Sequence, residues 1–280
     1  MLNNKIDFAV VFAANNANPN GDPLNGNRPR QNYEGYGEVS DVCLKRKIRN
    51  RLQDAGHAIF VQSDDRCDDG YKSLRERASA AEELRAAGKD RDAYAKAACD
   101  KWIDVRSFGQ VFAFKGDKAK GVSVGVRGPV SIHSAMSLSP INIESMQITK
   151  SVNSEPKEGK SSDTMGMKHT VEHGLYVTYG SINPQLADKT GFSDADAEEI
   201  KQALISLFEN DCSSARPDGS MEVYNVIWWK HNCRSGQYSS AKVHRSLKVE
   251  PLTENPKHIT DYKVTVEKLD DLDVTIYEGK

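Results

Sequence analysis

The distribution of apolar residues along the chain predicts several buried strands. The apolar run from Phe8 to Ala14 indicates a first strand, and the β-branched and aromatic stretch MEVYNVIWW indicates another near the end of the chain. Alternating patterns in RSFGQVFAF and GVSVGVRGPVSIH predict two strands joined by a turn rich in lysine and glycine. The predicted strands occupy residues 5–14, 106–114, 121–133, 221–229, 261–267 and 272–277.

Two segments show the period of an amphipathic helix. The first covers residues 41–55, with Ser40 as a candidate N-cap and Gly56 as a stop signal. The second runs over residues 194–209 behind the candidate cap Ser193. On the first helix the apolar positions fall on one face, which we expect to be buried: Leu44, Ile48 and Leu52.

Three further segments lie between these elements. Residues 15–39 are rich in asparagine, glycine and proline and predict a loop. Residues 72–104 are rich in alanine, arginine and glutamate and predict a helical insertion of two helices broken near Gly88. Residues 147–175 have strand-like flanks around a tip of serine, lysine and glycine, which predicts a projecting hairpin.

The order of the main elements is strand, helix, strand, strand, helix, strand. This order is typical of a ferredoxin-like or RRM-like sheet. We therefore predict an α+β fold over residues 1–280, formed by one RRM-like domain that the helical insertion and the hairpin decorate.

Composition alone argues against a nucleic-acid ligand, because the 280 residues carry a formal net charge of −2. The charges are nevertheless separated into blocks. Residues 28–51 contain seven basic and three acidic residues, whereas residues 188–222 contain nine acidic and three basic residues. Such asymmetry favours one surface for an anionic ligand and another that meets a neighbour or faces solvent.

Five cysteines without a C-x-x-C motif favour a reducing, cytoplasmic location, and no apolar run is long enough to span a membrane.

The basic helix is the first candidate site. Lys45 and Arg49 are four residues apart on one flank, and Arg46 lies opposite the apolar face. No acidic residue occurs between Asp41 and Asp54, so the sequence predicts cations that are free to bind phosphates. The alternative is an ordinary solvated helix face.

The asparagine-rich loop and the RSFGQVFAF segment add further candidates. Asn18, Asn20 and Arg28 suit contacts to phosphate or ribose, although a surface loop of turn residues explains them equally. RSFGQVFAF matches half of the RRM octapeptide, so Phe108 is a candidate for base stacking beside Gln110. We assign the other two phenylalanines of this strand to the core: Phe112 and Phe114.

HTVEH, at residues 169–173, spells an inverted zinc-protease motif. That chemistry needs a helix, whereas Gly166, Gly174 and the β-branched Thr170 and Val171 favour a strand. We therefore predict no metal site and no cofactor.

Taken together, these segments resemble the RAMP-superfamily CRISPR backbone proteins, most closely the type I-C Cascade backbone subunit. The matching pieces are SDVCLKRKIRNRL, DVRSFGQVFAF, GVRGPVSIHSAMS and MGMKHTVEHGLYVTYGSINP, which occur in family order over nearly the whole chain. The resemblance implies an RRM-like palm, helical fingers at about 60–105 and a thumb hairpin at about 147–175. It implies a non-catalytic protein whose copies polymerise head to tail along a CRISPR RNA (crRNA).

In such a complex the thumb of a neighbour enters between guide bases at regular intervals, and the other bases pair with the target DNA strand. The implied partners are crRNA, target DNA, further copies of the chain, and the large, small and crRNA-processing Cascade subunits. Related proteins cleave RNA with a loop aspartate, so an endoribonuclease using Asp22 is the alternative. Met165 and Met167 could wedge between bases or pack under the hairpin. The predicted RNA-binding residues are Asn18, Asn20, Arg28, Lys45, Arg46, Arg49, Phe108, Gln110, Arg127, Met165, Met167, Lys168 and His169.

Overall fold

The computed structural model describes residues 1–113, 123–150 and 165–280. Its strands are β1 (Ile6–Ala17), β2 (Gly21–Asp22), β3 (Arg28–Pro29), β4 (Tyr36–Val39), β5 (Gly109–Phe112), β6 (Val124–Arg127), β7 (Val130–Ile132), β8 (Ala135–Pro140), β9 (Ile143–Thr149), β10 (Met165–Ile182), β11 (Met221–Lys230), β12 (Leu247–Pro251), β13 (Tyr262–Val266) and β14 (Asp273–Glu278). Its α-helices are α1 (Asp41–Asp54), α2 (Leu74–Ala80), α3 (Glu82–Ala87), α4 (Arg91–Lys101), α5 (Ile103–Phe108), α6 (Pro184–Thr190), α7 (Asp194–Ile205) and α8 (Ser240–His244). Short 3₁₀ turns occupy Pro23–Asn25, Asp64–Arg66 and Ile259–Asp261.

The core of the fold is an antiparallel sheet in the order β14-β11-β1-β10-β8-β4, with β7 and β9 also pairing with β10. β1 lies in the middle, because it pairs with β10 along one side and with β11 along the other. Along the chain, β1, α1, β8, β10, α7 and β11 follow the predicted order of element types, but the two middle strands are not the ones predicted. The segments 106–114 and 121–133 supply β5 and β6, which form a separate two-stranded sheet, and β7, which pairs with β10. The prediction of an α+β fold is thus confirmed.

Both faces of β1 are buried, which explains why its sequence is a continuous apolar run. Phe8, Val10 and Phe12 point into the larger core, where they meet Leu44 of α1 and Leu204 of α7, both fully buried. The intervening alanine and valine side chains face a second core on the opposite side, beneath α8, β12 and β13. The sheet therefore has helices on one face and a small lobe from the C-terminal part of the chain on the other.

The helix α1 forms as its sequence predicts. The Ser40 hydroxyl accepts a hydrogen bond from the backbone N–H of Cys43, which caps the first turn. Leu44, Ile48 and Leu52 are buried, as expected. The second predicted helix begins as expected, with Ser193 and Asp196 forming a reciprocal capping box, but it ends at Ile205 and not at residue 209.

The insertion has a core of its own. Phe60 packs against Trp102 and Phe112 with ring centroids 4.7 and 5.1 Å apart, and small residues of α2, α3 and α4 surround them. Residues 72–104 contain three helices, α2, α3 and α4, and not the predicted two. The predicted break is found at Gly88, which follows the end of α3 with a positive φ of 59°. Burial confirms the assignment of Phe112 to the core, whereas Phe114 lies outside the described residues.

The prediction of one strand over 106–114 is wrong in its first half. Residues 103–108 form α5, and β5 begins only at Gly109, whose φ of 81° ends the helix. A side chain at Gly109 would meet the backbone oxygen of Val126 at 2.3 Å, because β6 crosses closely here. Phe108 therefore does not share a strand face with Phe112.

The loop predicted over 15–39 contains more structure than expected. β1 continues to Ala17, because Asn15 and Ala17 still pair with β10. β2 and β3 form a short hairpin, and β4 joins the edge of the main sheet. The reason is tertiary: neighbouring strands supply hydrogen-bond partners that local composition does not reveal.

The lobe contributed by α8 contains a buried histidine whose titration we expect to affect stability. His244 Nε2 donates a hydrogen bond to the Gly180 carbonyl at 3.1 Å, and Tyr179 stacks on the ring. Burial lowers the pKa of His244 despite the nearby Asp7 carboxylate, so the neutral form is favoured in the folded state. Its contribution is therefore present above the unfolded pKa and is lost as pH falls through the folded value.

Between about pH 7 and 5, the free energy of unfolding should fall by about 1.4 kcal/mol for each unit by which this pKa is lowered. Denaturant titrations across this range should show a flatter pH dependence for His244→Gln, because glutamine can still donate to Gly180 but does not titrate. Identical pH dependence in the variant and the wild type would contradict the assignment.

Candidate nucleic-acid interface

The two charge blocks seen in the sequence pair with each other inside the fold. The buried Lys47 forms an ion pair with Asp211. Arg51 binds Glu209 at 3.0 Å. Arg106 of α5, which lies outside the basic block, binds Asp196 at 2.8 Å. The expectation that the acidic block meets a neighbour or simply faces solvent is therefore wrong for these carboxylates, which hold α1 and α5 to the segment that contains α7.

The cations of α1 are not free of acidic partners, contrary to expectation. Lys45 Nζ lies 2.9 Å from the Asp41 carboxylate, one turn earlier on the same helix. Arg49 Nε donates to Asp104 Oδ2 at 2.9 Å, and this carboxylate is fully buried. Arg46 Nη1 donates to the Val61 carbonyl at 2.6 Å. The sequence could not show these contacts, because most of the partners come from distant segments.

Of these side chains, Lys45 is the one best placed to exchange its partner for a phosphate. Its pair with Asp41 is partly exposed and of the weak, helix-surface type. Arg49 is held more firmly, because its guanidinium binds Asp104 and also lies 5.1 Å from the centroid of the Phe108 ring. Phe108 itself is partly buried against the main core. RNA contacts by Arg46, Arg49 and Phe108 remain predictions.

Asn18 and Asn20 hold the loop that leads to α1. Asn18 is 3% exposed, and its side chain donates to the Asn27 carbonyl at 2.7 Å. Asn20 Oδ1 accepts hydrogen bonds from both the backbone N–H and the hydroxyl of Ser40, each at 3.0 Å. Asn20 therefore positions the N-terminus of α1, Asn18 holds the loop at Asn27, and the predicted contacts of both residues to RNA are untested.

β9 and β10 form the flanks of the predicted hairpin, whose tip at 151–164 lies outside the described residues. Met165 and Met167 are 62% and 54% exposed, so neither packs under the hairpin. Gln147 Nε2 lies 2.6 Å from the Met165 sulfur across the strand pair. The methionines therefore present flexible apolar side chains on one face of an exposed two-stranded arm.

At the root of this face, three polar side chains from three strands meet. Arg28 Nη1 of β3 lies 3.1 Å from Ser145 Oγ of β9, which lies 2.9 Å from His169 Nδ1 of β10. Arg28 Nη1 and His169 Nδ1 are 3.5 Å apart. The structure thus brings together two predicted residues that are 141 positions apart in the chain. It adds Ser145, for which the sequence carried no signal.

The remaining predicted residues lie elsewhere. Lys168 is opposite Met146 in the strand pairing, so it lies on the other face of the hairpin from Met165 and Met167. Gln110 and Arg127 lie on the paired strands β5 and β6, and Arg127 is exposed. Within the described parts of the chain, Arg127 and Lys168 form no ion pair.

HTVEH lies within β10, as predicted, and its two histidines have different surroundings. His173 Nδ1 lies 2.6 Å from Asn15 Oδ1, and its Nε2 lies 3.1 Å from the Tyr262 hydroxyl. Burial and the nearby His258 lower the pKa of His173. Across residues 1–113, 123–150 and 165–280, no three potential ligands converge as a metal site.

These features define a class of protein: an α+β chain with a central antiparallel sheet, a helical insertion and an exposed arm that combines apolar and basic side chains. Such an arm suits a polyanion whose bases can stack. The family model of CRISPR-associated protein Cas7 matches residues 4–267, and the chain belongs to this family. This confirms the resemblance to CRISPR backbone proteins drawn from the sequence.

One curated relative and two solved structures are similar to this chain. A protein of Haloferax volcanii described as CRISPR-associated protein Cas7 is 27% identical over 229 residues, covering 75% of this chain and 66% of its own length. The chain thus spans just under two thirds of that relative. A chain from a solved CRISPR RNA-guided surveillance complex described as pre-nicking aligns with a TM-score of 0.51 and 18% identity, over 80% of this chain and 75% of its own. A chain of another such complex has a TM-score of 0.46 and 18% identity, over 80% of this chain and 68% of its own.

In the described residues, no helix has the length and hydropathy needed to cross a bilayer.

Proposed function

We propose that this chain is a non-catalytic backbone subunit of a type I-C CRISPR Cascade complex. Several copies assemble head to tail along one crRNA in the cytoplasm, grip its backbone and leave most bases free to pair with a target DNA strand. Further partners are the large, small and crRNA-processing subunits. The family match carries this proposal, and the similarity to a chain of a solved CRISPR RNA-guided surveillance complex supports it.

The sheet supports an RRM-like palm. The order β11-β1-β10-β8, with alternating strand directions, is the arrangement of a ferredoxin-like sheet, and α1 and α7 cover one of its faces. In this proposal the segment at about 60–105 forms the fingers, and the hairpin at about 147–175 forms the thumb. The exposed Met165 and Met167 support a wedge between bases, because apolar side chains can enter and unstack a base step.

The grip on the backbone is electrostatic and independent of sequence. The cations available for it are those that internal carboxylates do not already hold. Of the predicted RNA-binding residues, Arg28, Arg127 and Lys168 meet this condition, and Lys45 can join them by releasing Asp41. A local group of such cations is compatible with the net charge of −2, which argued against a nucleic-acid ligand when taken as an average.

The alternative is an endoribonuclease that uses Asp22. Its carboxylate accepts a hydrogen bond from the Leu24 backbone N–H at 3.2 Å and lies 3.4 Å from Arg30. Asp22 thus caps the turn between β2 and β3. Purified protein incubated with end-labelled RNA and Mg²⁺ tests the two functions: the backbone subunit should retard the RNA intact. RNA shortened by the wild type but not by Asp22→Asn would establish the nuclease instead.

The salt dependence of RNA binding tests the role of Lys45. Lys45→Ala should flatten the slope of log affinity against log salt concentration by about 0.7, the value for one lost phosphate contact. Lys96→Ala is the matched control, because Lys96 is also a helix-surface lysine paired four residues along the chain, with Asp100. Equal slopes for the two variants would count against Lys45. Arg49→Ala is a poor probe, since it would strand the buried Asp104 carboxylate.

A further inference from the structure

The contact between Arg28, Ser145 and His169 restricts where protons can reside. An arginine side chain only donates hydrogen bonds, so Ser145 Oγ accepts from Arg28 over 3.1 Å. Ser145 Oγ lies 2.9 Å from His169 Nδ1. Arg28 Nη1, which can only donate, approaches the same nitrogen at 3.5 Å, so Nδ1 is best placed to accept the hydroxyl proton of Ser145. In this arrangement Nδ1 is the acceptor, and the ring of His169 carries its proton on Nε2.

A second proton on His169 would disturb this arrangement. The protonated Nδ1 would face the Arg28 guanidinium at 3.5 Å, so two positively charged donors would oppose each other. The Ser145 hydroxyl can accept from both donors, but it carries no charge that compensates them. A phosphate group resolves the conflict, because its oxygens accept from both donors and its charge compensates both cations.

The surroundings place few other charges beside the imidazole. Ser145 and Arg28 face the imidazole of His169 from β9 and β3. His173 lies four residues further along β10, on the same face of the strand. Lys168 precedes His169 on the opposite face of the hairpin. Arg28 also lines an open cleft together with the charged residues Asp22, Arg30 and Glu38.

We propose that Arg28, Ser145 and His169 form a proton-linked phosphate site, at which one phosphodiester of the RNA takes the place of Ser145 as partner of Arg28 and His169. His169 takes up a proton from solvent as the phosphate binds. This proposal rests on the proposed function as an RNA-binding subunit and adds a pH dependence to it. By linkage, RNA binding favours the protonated ring, and lower pH strengthens RNA binding by the same factor.

The expected change in affinity for RNA is modest, because only the hydrogen bond between His169 and the phosphate becomes charge-assisted. Histidine titrates between about pH 5 and 8, so affinity for RNA should rise by about fivefold from about pH 8 to about pH 6. Affinity for a labelled, short single-stranded oligouridylate should be measured by fluorescence anisotropy at constant ionic strength. Calorimetry of the same binding in two buffers with different ionisation enthalpies reports proton uptake directly.

His169→Gln should bind with equal affinity at both pH values and should take up no proton from this site. His57→Gln is the matched control, because His57 lies outside this cluster, where it pairs with Glu199. It should keep the full pH response. RNA binding with no pH dependence in the wild type, or with equal proton uptake in wild type and His169→Gln, would overturn the proton-linked site and leave the RNA-binding function standing. Failure of the wild type to bind RNA at either pH would overturn both.

Discussion

Asp104→Ala should lower the free energy of unfolding by about 3–5 kcal/mol, the cost of leaving a buried charge without its partner. Asp104 is fully buried and joins three segments. Its carboxylate accepts from Arg49 Nε at 2.9 Å and from the backbone N–H groups of Phe60 and Val61 at 2.8 and 3.1 Å. Its loss would leave the Arg49 guanidinium and two backbone donors unsatisfied where α1 meets the insertion.

Denaturant titration of the purified chain measures this effect. Asp104→Asn should fall between the wild type and the alanine variant, because an amide oxygen can still accept from the backbone but carries no charge. Asp100→Ala is the control, since Asp100 pairs with Lys96 on the exposed surface of α4 and should cost less than about 1 kcal/mol. If Asp104→Ala lost no more stability than Asp100→Ala, Asp104 would not hold Arg49 firmly. Arg49 would then be available to RNA.

The second large effect concerns the exposed arm. Replacing Met165 and Met167 together with serine should leave the fold intact, because both side chains are mostly exposed. It should nevertheless remove the apolar wedge, which we expect to offset a base-unstacking cost of a few kcal/mol in the assembled complex. The expected result is that RNA still binds through its phosphates, while the regular interruption of its bases is lost.

Nuclease or chemical footprinting of the bound RNA reports that interruption as a repeating pattern. Met146 and Ile148 supply the control, because they lie on the same two strands and are also exposed, at 63% and 48%, but point to the other face of the hairpin. Their replacement with serine should retain the repeat. A regular repeat in the Met165 and Met167 double variant would mean that these methionines do not form the wedge.

Local patterns in the sequence were sufficient for elements that are stabilised locally. The cap at Ser40 and the spacing of Leu44, Ile48 and Leu52 place α1 within one residue of its observed ends. The continuous apolar run of β1 likewise marks a central strand with two covered faces. In both cases the sequence period and the buried surface are determined by the same residues.

Charge partners could not be predicted in this way. The sequence of α1 shows that acidic residues are absent from its middle, but Asp104 and Asp211 reach it from 55 and 164 positions away in the chain. The segment RSFG was misread for a related reason. Val105 and Phe108 suit a strand or a helix, and the choice depends on packing against the insertion and on Gly109.

The candidate site was predictable in part. Arg28, His169 and the two methionines were identified from residue type and hairpin position, and the structure places Arg28 and His169 in contact. Ser145 was missed because a serine in a strand carries no distinguishing pattern. The separation of Lys168 from the methionines follows from the strand register, which cannot be determined until the pairing of β9 with β10 is known.

Electron microscopy of the chain co-expressed with its CRISPR RNA tests the central claim most directly. The account predicts particles in which several copies follow one RNA at a constant spacing, each contributing a protruding arm toward the next copy. A head-to-tail contact of this kind generates an open helical array. Isolated single copies, or closed symmetric dimers that carry no RNA, would contradict the assignment as a repeating backbone subunit.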